Sequence, residues 1–103
     1  MASLTVIYWR DIPAQVVAEE GRGRKRQQAK VELPRRFALA IDEAAMRDGA
    51  DSTDDYLAEW RKSEPEAIEG DLQQAAETRA AALDQDYDRE KLAAIVASGG
   101  RAG

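Results

Sequence analysis

Five cations, Arg22, Arg24, Lys25, Arg26 and Lys30, fall within nine positions of one stretch, EEGRGRKRQQAK, in a chain whose formal net charge is −5. Guanidinium and ammonium groups at that density can neutralise phosphates, and four such contacts would give a salt slope of about −3.6 on duplex DNA. The plainer reading is a solvated hairpin tip. No aromatic side chain is interleaved to stack bases, and the negative field of the whole protein opposes a polyanion. The run is also too short for a helix that reads the major groove.

Carboxylates are the other plentiful reactive group: Asp54, Asp55, Glu59, Glu64, Glu66 and Glu69. Acid–base work needs two of them in one pocket with separated pKa values, and a magnesium site needs oxygen ligands around an octahedral ion. Asp54 and Asp55 sit where a helix start recruits acids, which explains them more simply. The chain has no histidine and no cysteine, so the usual proton shuttle, thiolate metal ligation, disulfides and cysteine nucleophiles all drop out. GRGRKRQ lacks the spacing and the Lys-Ser/Thr ending of a phosphate loop, and no GxSxG is present. The expectation is a protein that is not an enzyme, with no catalytic residues, cofactor or metal.

A third constellation is YWRDIP. Adjacent Tyr8 and Trp9 cannot both point inward from a strand, so one of them must be exposed or covered by another element. If exposed, Trp9 with Arg10 and Asp11 as a polar rim would form a recognition surface, because aromatics and arginine dominate binding hot spots.

These groups need elements to hold them. In LTVIYWR the β-branched and aromatic residues favour a strand, with Leu4, Val6 and Tyr8 on one face and Thr5, Ile7 and Trp9 on the other. Both faces are apolar, as in a strand covered on both sides or one whose second face serves a partner. Pro13 punctuates the chain. AQVVAEE and QAKVEL then alternate, with Ala14, Val16, Ala18 and Ala29, Val31, Leu33 inward, and GRGRKRQ joins them as a hairpin.

Pro34 suits a first helical turn, and Phe37, Ala40, Ile41, Ala44 and Ala45 recur at helical spacing up to Gly49. Ser52 and Asp55 resemble a capping pair opening TDDYLAEWRKS, where Tyr56, Leu57 and Trp60 would share a helix face that packs into the core rather than forming an aromatic box for a ligand. Beyond Pro65, Ile68, Leu72, Ala75, Ala76, Arg79, Leu83 and Tyr87 step round a further helix, and DREKLAAIVAS offers Leu92, Ile95 and Val96. This alanine-rich end is thinly hydrophobic, so it should pack lightly or dock on another chain.

The chain has 103 residues, 44% hydrophobic and 34% charged, enough for one modest core. Charge divides unevenly, net +4 over residues 1–36 and −9 beyond. The expected fold is α+β: a single domain over residues 1–98, with a three-stranded, hairpin-containing sheet from residues 4–33. Three to four helices follow over 34–98, the first packed on the sheet, and 99–103 form a disordered tail. The apolar run Leu4 to Trp9 is too short to span a bilayer and has no cationic segment before it, so a cytoplasmic location with no membrane contact is expected.

The blocks LTVIYWRDIPAQV, ELPRRFALAIDEAAMRDG and STDDYLAEW, with the basic segment between the first two, resemble the small bacterial proteins called the virulence factor family. A similar domain forms one part of the larger conserved virulence factor C proteins. The resemblance covers roughly residues 3–62 and does not reach the alanine-rich end. It implies no reaction, cofactor or catalytic residue. Small relatives are associated with gene clusters for folate and corrinoid one-carbon metabolism, which implies an accessory role beside such enzymes.

The function expected is therefore a non-enzymatic accessory or adaptor protein. Its partner is another protein, with self-pairing through a sheet edge as a further reading. Contact would be made through Trp9, Arg10 and Asp11, through Arg22, Arg24, Lys25 and Arg26, or through the acidic helical end. The alternative is a nucleic-acid-binding regulator using the basic loop 22–30.

Overall fold

The computed structural model describes residues 2–21, 23–47, 49 and 53–101. It is α+β, with a five-stranded antiparallel sheet and four α-helices. Strand β1 (Ala2–Trp9) lies at the centre, β2 (Ile12–Glu20) pairs with its one side, and β3 (Gln27–Glu32) pairs with β2 beyond. On the other side of β1 are two strands the alternation did not reveal, β4 (Trp60–Lys62) and β5 (Glu66–Ile68). Three residues are too few to show a period of two.

The broken edge has a local cause. Pro65 has no amide to give a ladder, so the segment between β4 and β5 leaves the sheet. Ser63 bridges the gap: its amide donates to the Val6 carbonyl at 2.9 Å, and its Oγ accepts from the Val6 amide at 2.9 Å. The helix expected over TDDYLAEWRKS, as far as Ser63, stops at Ala58 because the chain turns at Glu59 to pair with β1. Ile68, expected on a helix, is likewise a strand residue opposite Ala2. Leu57, expected on a buried helix face, is 59% exposed. Ser52 of the expected capping pair lies outside the described residues.

Helix α1 (Arg35–Arg47) buries Phe37, Ala40, Ile41, Ala44 and Ala45, the five residues its spacing selects. It packs against β2 and against α4 (Arg89–Ala97). After the short α2 (Thr53–Ala58), α3 (Leu72–Asp86) lies across β2 and β3. Ala76 and Ala80 bring its backbone close to the sheet, with Leu83 buried beside them. The Asp71 and Asp88 carboxylates cap α3 and α4 by accepting from Gln74 N at 3.2 Å and Lys91 N at 2.8 Å. The alanine-rich end is thus part of the core: Leu92, Ile95 and Val96 join Leu4, Val6, Trp9 and Phe37 in one apolar cluster. Alanine spacing reads as weak only when burial by a neighbouring sheet is not counted.

Gly99 and Gly100 are also built in. Gly99 N donates to Val96 O at 2.9 Å and Gly100 N to Ile95 O at 2.8 Å, a Schellman closure of α4. Both glycines are buried, so the disordered tail expected from residue 99 does not begin there. A Cβ on Gly100 would lie 2.9 Å from the Trp9 ring, and its φ is +95°. Gly70 has a similar φ of +87° with open space around it. Gly100→Ala is therefore expected to lose about 2 to 4 kcal/mol in denaturant unfolding, from strain plus overpacking, whereas Gly70→Ala loses only the ~1–2 kcal/mol of strain. Equal losses would show that Gly100 is not wedged against Trp9.

Candidate functional site

The residues singled out for interaction do not converge. Trp9, Arg10 and Asp11 lie at the β1–β2 turn, while Arg24, Lys25 and Arg26 lie at the β2–β3 turn, which includes a 3-10 turn over Gly23–Lys25. These are opposite ends of the nine-residue β2, roughly 30 Å apart at the usual strand rise. Arg22 lies outside the described residues.

Trp9 is not a surface residue. It is 0% exposed, its Nε1 donates to the Tyr56 carbonyl at 2.9 Å, and its ring stacks on Tyr56 with centroids 5.8 Å apart. Tyr56 and Gly100 lie against the ring, and the strand register is irregular just before it. The register shifts between Ile7 and Tyr8, passing over Ala14, so that Trp9 pairs with the equally buried Ile12. Pro13 sits at this irregularity, where a missing ladder amide is tolerated.

Arg10 is 7% exposed and has φ +54° in a two-residue hairpin turn, where a left-handed residue is required. Its Nη1 donates to Gly99 O at 2.6 Å, its Nη2 meets Glu59 Oε1 at 3.4 Å, and its guanidinium lies 4.8 Å from the Trp9 ring centre. Asp11 is half-buried; its amide donates to Gly100 O at 2.8 Å, and its carboxylate pairs with Arg61 at 3.1 Å. The expected recognition surface at Trp9 and Arg10 is therefore corrected: these side chains tie the hairpin to the chain end.

The basic turn is exposed as its composition implies. Arg24 and Lys25 face solvent, and Arg26 lies 3.8 Å from Glu19. Arg26 and Lys30 also border the open polar face of the sheet, a shallow hollow of about 270 Å³ that includes Thr5, Gln15, Val17 and Lys62.

Two other surfaces stand out, the second of them built on Tyr56 and Trp60, the pair the sequence offered as core or as a ligand box. Between α1 and α4 runs an apolar groove of about 300 Å³, floored by Leu39, Ala40, Leu92, Ala93 and Val96. Arg36, Arg47 and Arg89 rim it, opposed by Glu43. Arg36 pairs with Asp84 at 2.5 Å and Arg47 with Glu43 at 3.7 Å, while Arg89 makes no ion pair among the described residues. Leu39 and Met46 are 53% and 74% exposed. They stand seven residues apart, off the buried stripe of α1, which is the one sequence signal that could have marked this face.

The second is a hollow of about 280 Å³ where α1, α2 and β4 meet the ends of β2 and β3. Its walls include the half-buried Tyr56 and Trp60, whose rings meet edge-to-face at 5.8 Å and 80°. Asp42, Glu32 and Gln15 contribute its polar atoms. Both rings also pack against the core, as expected of this pair. Burial, helped by the nearby Asp42 carboxylate, pushes the Tyr56 hydroxyl above its ordinary value of 10.0, and burial does the same for Tyr87. Among the described residues, no group of three or more acids could hold a metal ion, and no helix is long and apolar enough to cross a membrane.

A family model described as "Virulence factor" matches residues 7–96, a span that includes α3 and most of α4 as well as the earlier blocks. No curated protein and no solved structure matches the chain.

Two outcomes follow from this geometry. Arg10→Ala is expected to lose about 1.5 to 3 kcal/mol of unfolding free energy with the charged hydrogen bonds, and Arg10→Gly about 1 kcal/mol less, because glycine relieves the left-handed strain. The raised Tyr56 and Tyr87 values mean that the folded state holds phenol protons the unfolded state releases. Stability should therefore be intact below pH 10.0 and decline as pH rises through the higher folded values. Thermal unfolding across that range, with the phenolate absorbance followed in parallel, measures it.

Proposed function

The chain belongs to the virulence factor family, a description that names no reaction, and we propose that it is a non-enzymatic accessory protein that works by binding another protein. The observation that carries this reading is the α1–α4 groove: an apolar floor continuous with exposed Leu39, rimmed by three arginines in a chain of net charge −5. Its chemistry selects one occupant, an acidic amphipathic helix of the partner. Leucine-like anchors at helical spacing would fill the floor, and carboxylates would meet Arg47 and Arg89. The family resemblance adds a setting, beside one-carbon enzymes.

A nucleic-acid-binding regulator is the second reading, favoured by the exposure of Arg24, Lys25 and Arg26 and by Lys30 and Lys62 lining one hollow with Arg26. Glu19 sits among these cations and weakens their field.

The two separate in one experiment. The tagged protein is used to capture partners from its native extract, with and without nuclease, alongside Arg47→Glu/Arg89→Glu and Arg24→Ser/Lys25→Ser/Arg26→Ser variants. The adaptor reading expects one protein retained despite nuclease, lost by at least tenfold with the groove variant and kept with the turn variant. Material that vanishes with nuclease and with the turn variant establishes the second reading instead.

A further inference from the structure

The hollow between α1, α2 and β4 has a composition that a simple packing defect would not need. Two aromatic rings, Tyr56 and Trp60, form a near-perpendicular corner. Asp42 on α1 and Glu32 at the end of β3 stand on its rim. Some surface carboxylates pair with arginines, as Asp84 does with Arg36, Asp11 with Arg61, Glu66 with Arg79 and Glu19 with Arg26, and many others do not. Among the described residues neither Asp42 nor Glu32 has a cationic partner. No lysine or arginine is among the residues that line the hollow.

The geometry points to a binding site for an organic cation: a methylated ammonium, or the charged head of a lysine or arginine side chain. The π faces of tryptophan and tyrosine attract cations through their quadrupoles, most strongly when water is displaced. Apolar Ala14, Leu33, Ala38 and Ile41 would cover the alkyl substituents, and Asp42 and Glu32 would balance the charge. About 280 Å³ accommodates a small quaternary ammonium or one side-chain head, not a large cofactor.

This site shares only Ala40's helix with the α1–α4 groove and none of the groove's lining residues. Its truth does not depend on the adaptor reading. It adds a second specificity, for positive charge, on an otherwise acidic molecule.

The test is an amide chemical-shift titration of the intact protein with tetramethylammonium chloride and, separately, Nα-acetyl-arginine amide. Sodium chloride holds ionic strength constant, and tert-butanol serves as the neutral isostere. Expected are saturable shifts confined to Gln15, Leu33, Asp42, Tyr56 and Trp60 with at least one cation and none with tert-butanol. Asp42→Asn, an exposed position that leaves the fold intact, should weaken binding about five- to tenfold, and Trp60→Leu about tenfold or more. Tighter binding of tetramethylammonium assigns the site to a free methylated cation; tighter binding of the arginine amide assigns it to a partner's side chain. Shifts that fail to saturate, that follow sodium or tert-butanol equally, or that persist unchanged in Asp42→Asn overturn the proposal.

Discussion

The left-handed backbone at Arg10 and the buried Trp9 beside it hold one end of the molecule together. A non-glycine residue at φ +54° carries strain, and here the strain is offset by what it positions. The turn aims the guanidinium at Gly99 O and Glu59, and the next amide at Gly100 O, while Trp9 donates to Tyr56. Four separate parts of the chain thereby meet: the β1–β2 hairpin, α2, the turn into β4, and the closing residues of α4. Arg61 adds a fifth bond by donating from Nε to the Arg10 carbonyl at 2.8 Å.

That knot decides what is left for function. An aromatic and an arginine that look like hot-spot residues in the sequence are spent on closing the fold, so contact with a partner must use other surfaces. Removing Trp9 from the surface places Tyr56 against it, and Tyr56 in turn forms a wall of the hollow with Trp60. The candidate cation site is thus built on the core rather than on loops, which gives its rings the fixed orientation that cation recognition needs. The groove is held differently, by two helices packed on each other, with Arg36 bonded to Asp84 and Tyr87 O and Arg47 paired with Glu43.

Most of the candidate sites were illegible beforehand for a common reason. Leu39 and Met46 differ from a core stripe only by their phase on α1, and that phase becomes a surface only once α4, fifty residues later, packs alongside. Asp42 and Glu32 look like ordinary solvated acids until β3, α1 and α2 come together around them. The basic turn was legible because its residues are neighbours in the chain.

The sequence by itself determined the α+β class, the buried face of α1, the alternation in β3, and the acids at the start of α2, because each rests on contacts within a few residues; in β2 the expected alternation fails at Val17, which is buried. The sequence also carried the family membership, through blocks that are contiguous in the chain. The tertiary structure alone decided that β4 and β5 complete the sheet, that the alanine-rich helices and Gly99–Gly100 belong to the core, and that Trp9 and Arg10 face inward. Those outcomes depend on pairings between residues 47 to 89 positions apart. Short strands and small side chains leave too little local pattern to announce such pairings, and only the packed neighbour supplies the burial that makes them stable.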